Sequence, residues 1–154
     1  MCFGWLKRLI CGNDNTIPCP ELEPIELTEV FGRLRAELGE KCEIYLSDKE
    51  YKTTSIYELK KFLQSDLTDT YVYKKIFFNC DDFSYRLMGE LSVPGWASLP
   101  FGIFWCELPD GSGHALNIFI DHNRKVWIVE PQNDEVTAAS EYFNHEYKAW
   151  LVMM

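Results

Sequence analysis

The stretch that decides the reading is FFNCDDFSYRL, residues 77–87. Asn79 has the chemistry of a helix N-cap, because its short side-chain oxygen can accept from backbone N–H groups left free in the first turn. Asp82 falls three residues later, where a carboxylate reaches back to the cap and completes a capping box. Cys80 is thereby placed as the first residue of an amphipathic helix. A thiol there sits among unsatisfied N–H groups at the positive end of the helix dipole, which favours the thiolate. Asp81 and Asp82 gain from the same helix end and oppose that charge, so the balance calls for a nearby imidazolium.

Working outward toward the N-terminus, SIYELKKFLQS from Ser55 reads as a helix opened by a Ser55/Glu58 capping box. CEIYLS (42–47) is a candidate short strand, and TEVFGRLRAELG from Thr28 carries apolar residues at 30, 31, 34 and 38 and is closed by Gly39. TIPCPELEPIEL (16–27), with three prolines and three glutamates, reads as a linker. This divides the chain into an N-terminal segment, 1–25, and a domain, 26–154. Toward the C-terminus the pattern changes to runs rich in branched and aromatic residues: GIFWCEL (102–108), HALNIFID (114–121) and VWIVEP (126–131), joined by short turns. Short connections make neighbouring strands antiparallel. A polar or helical passage around TAASEYF leads to a further strand in YKAWLVMM. The expected fold class is α+β, with N-terminal helices and the Cys80 helix packed on an antiparallel sheet in the manner of papain.

Composition sets the outer limits. At 154 residues with 47% hydrophobic and 15% aromatic side chains, the chain suits one compact core. Its formal charge of -9 and the lack of a basic stripe argue against nucleic acid as a partner. The six cysteines (2, 11, 19, 42, 80 and 106) form no Cys-x-x-Cys pair, and the three histidines do not fall at zinc-finger spacing. Mostly reduced thiols in a cytoplasmic setting are therefore expected. In MCFGWLKRLICGNDN the apolar run is broken by Lys7 and Arg8, too short for a signal sequence or a membrane span. This basic amphipathic segment reads as a loosely docked terminus before it reads as a membrane contact.

Candidate chemistry centres on Cys80. His114 follows a Gly-Ser-Gly turn at a strand start, and Glu130 closes the next strand in hairpin register. Together they would supply nucleophile, base and orienting acid, in the chain order of papain-like thiol hydrolases. Each residue alone has a plainer reading: a buried Cys is most often a small core hydrophobe, and an Asp pair after an N-cap is ordinary helix-start chemistry. Their joint occurrence favours the site. Cys106, mid-strand between Trp105 and Glu107, reads as structural, and His122 and His145 receive no role.

NCDDFSYRL, GHALNIFI and VWIVEPQND together resemble the C-terminal domain of the Marasmius oreades agglutinin family, over roughly Asn79 to Asp134. That domain is a papain-like cysteine protease module, fused in fungi to a carbohydrate-binding trefoil that has no counterpart here. The resemblance implies Cys80 as nucleophile, His114 as base, Glu130 as orienting acid, calcium as cofactor, and a protein or peptide substrate. Asn79 and Gln132 are the candidate supports for an oxyanion, and Asp81 and Asp82 the first candidates for calcium, with Glu130, Asn133 and Asp134 nearby. The expected activity is a calcium-activated cysteine peptidase. Two alternatives stand beside it: transglutaminase-like acyl transfer, and a non-catalytic binding or virion-type protein with an aromatic face at Trp96, Phe101 and Trp105.

Overall fold

A computed structural model describes residues 18–154. Expectations for the basic N-terminal segment, Cys2 and Cys11 lie outside the described residues. In chain order the elements are β1 (Glu23–Ile25), α1 (Leu27–Leu38), β2 (Glu43–Tyr45), β3 (Tyr51–Thr53), α2 (Ile56–Leu63) and, after a 3-10 turn at Thr68–Thr70, α3 (Cys80–Leu91). Then follow β4 (Phe101–Glu107), β5 (Gly113–Ile120), β6 (Val126–Glu130), β7 (Glu135–Ala138), a 3-10 turn at Tyr142–His145, and β8 (Lys148–Met153).

The helix starts form as their caps dictate. The Ser55 side chain accepts from the Glu58 N–H, and at α3 both halves of the Asn79/Asp82 box are made. Gly39 closes α1 at φ 82°, a conformation that a side chain would strain.

The expected papain-like α+β layout needs correction. The described residues hold eight strands against three α-helices, and a six-stranded sheet in the order β2-β8-β4-β5-β6-β7 organises the molecule. That sheet is mixed. β4, β5, β6 and β7 run as an antiparallel meander, whereas β8 inserts beside β4 and pairs parallel with β2, Glu43 opposite Leu151. β1 and β3 form a separate antiparallel ribbon, so the chain joins the fold by Glu23. The three-residue strands β1 and β3 are too short for an alternating pattern to reveal.

Alternation along the long strands sorts the core into two layers. Phe104, Leu116, Ile118, Ile128 and Val152 pack with Val30, Leu34 and Leu38 of α1 on one face. Phe101, Phe119 and Val129 pack with Leu59, Phe62 and Leu63 of α2 and with Leu87 and Leu91 of α3 on the other. Asn117 joins α3 to the sheet. Its buried amide donates to the carbonyl of Ser84 in α3 at 3.0 Å and to that of Gly102 in β4 at 3.1 Å. The helix that begins at Cys80 is thereby fixed over the strand that begins beside His114.

Candidate functional site

Three elements converge at one end of the sheet. Cys80 opens α3, His114 is the second residue of β5, and Glu130 ends β6 just past the last paired rung, Asn117 opposite Val129. His114 and Glu130 share the face of Leu116, Ile118 and Ile128, as their even spacing along the strands requires. The His114 Nε2 lies 2.7 Å from Glu130 Oε2, with 17% and 18% of the two side chains exposed. The ring also hydrogen-bonds Cys80, and with Nε2 committed to Glu130 the nitrogen left for the thiol is Nδ1. The structure therefore joins the three residues in one row.

Electrostatics follow the geometry. The hydrogen bond to His114 holds the Cys80 thiol below its ordinary pKa; burial opposes it, while the Ala115 backbone and the imidazolium charge assist. Burial works against a charged His114, yet hydrogen bonds to Cys80 and Glu130 and the charges of both outweigh it and lift the ring from 6.5 to about 9. Both shifts act in the same direction, toward a thiolate beside an imidazolium. Cys106, buried on the strand opposite His114, behaves in the contrary way: burial, then the charges of Cys80 and Glu130, push its thiol up to about 12. It is structural, as its place in the strand led us to expect.

The supporting residues divide. The Asn79 side chain is spent on the cap, accepting from the Asp81 N–H at 3.2 Å, while the Asn79 N–H donates to Asp82 at 3.0 Å. Gln132 instead locks Glu130, since its backbone N–H and its side-chain amide both donate to Oε1, at 3.2 and 3.1 Å. Asp81 and Asp82 do not form a cation cage: among the described residues no group of three or more His, Cys, Asp or Glu is placed to hold a metal. Calcium wants about six to eight oxygens, and the Asp82 carboxylate already serves the cap. Cys42, Cys80 and Cys106 are free thiols, whereas Cys19 is disulfide-bonded, so the expectation of reduced thiols fits only the first three.

The aromatic face expected at Trp96, Phe101 and Trp105 is not assembled. Trp96 and Phe101 are core residues, and Trp105 leans on Tyr85 with ring centroids 6.1 Å apart. Aromatic side chains that the sequence did not single out flank the row instead. A cavity of about 210 Å³ is lined by His114 and Glu130, by Tyr142 and Phe143, by Glu135 and Thr137 of β7, and by Leu108, Ile128 and Asn133. Phe143, Asn144 and His145 all have positive φ (44°, 52° and 63°), so this part of the lining is held in a strained turn. The only sequence trace of that turn was a polar passage lacking a strand pattern.

Solved structures supply the comparison. PSL1a in its E64 complex matches with a TM-score of 0.71 at 23% identity, over 85% of this chain and 51% of that one. Polyporus squamosus lectin bound to the human-type influenza-binding epitope Neu5Aca2-6Galb1-4GlcNAc matches with a TM-score of 0.68 at 21% identity, over 93% and 55% of the two chains. This chain shares its fold with Polyporus squamosus lectin. It spans about half the length of these structures, and at such identity the likeness establishes the fold. No protein-family model and no curated protein matches the chain.

These neighbours correct the functional expectation. One of these structures is named as a lectin bound to a sialylated epitope, which does not bear out the expected cysteine peptidase activity or its protein or peptide substrate; at such identity the likeness carries the fold alone. The chemical state of the Cys80, His114 and Glu130 row is a property of the geometry and stands apart from that correction. Among the described residues, no helix is long and apolar enough to cross a membrane.

Proposed function

We propose that this chain is a non-catalytic binding module whose ligand is a glycan, seated in the cavity over His114 and Glu130. The observation that carries this reading is the composition of the cavity lining, which combines two aromatic rings with hydrogen-bonding groups, among them a Glu130 carboxylate held by His114 and Gln132. A sugar ring has matching surfaces, an apolar face of C–H groups that lies against aromatic side chains and a rim of hydroxyls that needs donors and acceptors. About 210 Å³ suits one ring of a longer glycan. The solved structure named as a lectin bound to a sialylated epitope favours the same ligand class.

In this reading His114 and Glu130 are rigid parts of the lining. Glu130 is fixed through Oε2 by His114 and through Oε1 by Gln132, which orients its remaining lone pairs without further entropic cost on binding. Calorimetric titration with sialylated and unsialylated lactosamines tests the assignment. Binding is expected, with Phe143→Ala weakening it by about threefold to tenfold through loss of a ring contact, and with Glu135→Gln weakening it independently. Absence of binding to every sugar tried, or binding indifferent to both substitutions, would refute the reading.

A further inference from the structure

The loop that delivers the chain to Asn79 differs in kind from the rest of the surface. Val72, Ile76 and Phe77 are 73%, 80% and 83% exposed, more than any other large hydrophobic side chain among the described residues. The loop is nonetheless ordered by its own bonds. The Phe77 and Phe78 N–H groups donate to the Lys74 carbonyl at 2.9 Å, and the Lys74 N–H returns to the Phe78 carbonyl at 2.7 Å. Phe78 anchors the base through Phe83 of α3, ring centroids 4.7 Å apart, and through Tyr71 at 5.3 Å. Arg86 lies over the Tyr71 ring. Lys75, Ile76 and Phe77 are therefore held out at the tip.

Apolar tips on a pinned loop mark a surface that meets something other than water. The charge pattern identifies the partner. In a chain of net charge -9, two adjacent lysines, Lys74 and Lys75, occupy this tip, and among the described residues neither is paired with a carboxylate. Tyr71 and Tyr73 stand exposed just behind them. Exposed apolar side chains, adjacent cations and exposed tyrosines on one short loop match the chemistry of a bilayer face: acyl boundary, anionic headgroups and interface. A protein partner fits less well, because a convex tip of three apolar residues is far smaller than the roughly 800 Å² per side of a stable complex.

We propose that residues 71–78 form a membrane-docking loop that inserts Ile76 and Phe77 into a bilayer carrying anionic phospholipid, with Lys74 and Lys75 on the headgroups. The acidic remainder of the molecule is repelled by the same surface, so the protein docks with this loop foremost. The inference does not depend on the glycan reading.

Sedimentation of the full chain with phosphatidylcholine vesicles, with and without phosphatidylserine, tests it. Binding is expected to the anionic vesicles alone and to fall as salt is raised. The Ile76→Asp/Phe77→Asp variant, whose circular dichroism should match the parent because both side chains are exposed, should lose binding. Lys74→Gln and Lys75→Gln should each weaken it by about fivefold, the effect of one basic residue at an anionic surface. The proposal is overturned if no vesicle binds, if neutral and anionic vesicles bind alike, or if binding survives the aspartate pair. It is equally overturned if sedimentation velocity shows the aspartate pair dissolving a dimer, since the loop would then belong to a second copy of the chain.

Discussion

Neutralising Glu130 should lower the titration of His114. The structure lifts that ring from 6.5 to about 9 against the opposing effect of burial, through hydrogen bonds and charge from Cys80 and Glu130. Two and a half units (9 − 6.5) at about 1.4 kcal/mol each leave a net of roughly 3.5 kcal/mol, and because burial works the other way the two partners together supply more than that. Glu130→Gln keeps the shape and removes one partner's charge, so the ring should titrate at least about one unit lower. Cys80→Ala should lower it too, and the two together should bring it below 6.5, where burial alone would leave it. Ring-proton NMR titration of His114, His122 and His145, assigned by single substitution, reads this directly. Stability carries the same signature with a definite sign. A raised histidine pKa stabilises fully below 6.5 and loses that contribution as pH rises through about 9, so Glu130→Gln should cost most under the more acidic condition. A parent His114 titrating near 6.5, or one unmoved by either substitution, would refute the reasoning.

Three further outcomes are expected. Alkylation with peptide mapping should modify Cys80 at neutral pH while sparing Cys42 and Cys106, whose thiols burial raises, and His114→Ala should slow the Cys80 reaction; equal labelling of all three would contradict the assigned ionisation. Asn117→Ala strips the donors from two buried carbonyls, Ser84 and Gly102, and should cost about 2 to 4 kcal/mol in chemical denaturation, whereas a loss within experimental error would mean that the amide ties nothing together. Burial, then the charges of Asp69 and Asp66, hold Asp134 at about 6, so its charge destabilises the fold above that pH and not below 3.8. Asp134→Asn should therefore raise stability at neutral pH and leave it unchanged in acid, and a loss at neutral pH would overturn this account.

What the sequence disclosed was what local chemistry controls. Ser55 and Asn79 announced two helix starts because a cap is a contact within three residues, and the runs at 102–108, 114–121 and 126–131 announced β4, β5 and β6 because their alternation is long enough to see. The meeting of Cys80, His114 and Glu130 was legible for the same reason, since each sits at the end of a readable element. Pairings that depend on distant segments were hidden. Nothing in Glu43–Tyr45 indicates a parallel partner in β8, and EVTA, read as part of a polar passage, became an edge strand only because β6 lay ready to receive it. Trp96 and Phe101 illustrate the limit for side chains, because an aromatic residue in an irregular stretch looks the same whether it ends in the core or on the surface. The peptidase expectation failed one level higher, where residues in a familiar order were taken to carry a familiar activity.

The insertion of β8 between β2 and β4 also bears on how the molecule assembles. β2 waits for a partner 108 positions along the chain (151 − 43), so the sheet gains one of its flanks only after all the elements between them have been synthesised. Pairings of such long range are slow to form, because the loop must close before any contact rewards it. The hairpins that carry His114 and Glu130 need no such wait. A nascent chain would thus hold its His114 and Glu130 pair early while β2 and β4 still offered bare edges, a window in which a chaperone has most to protect.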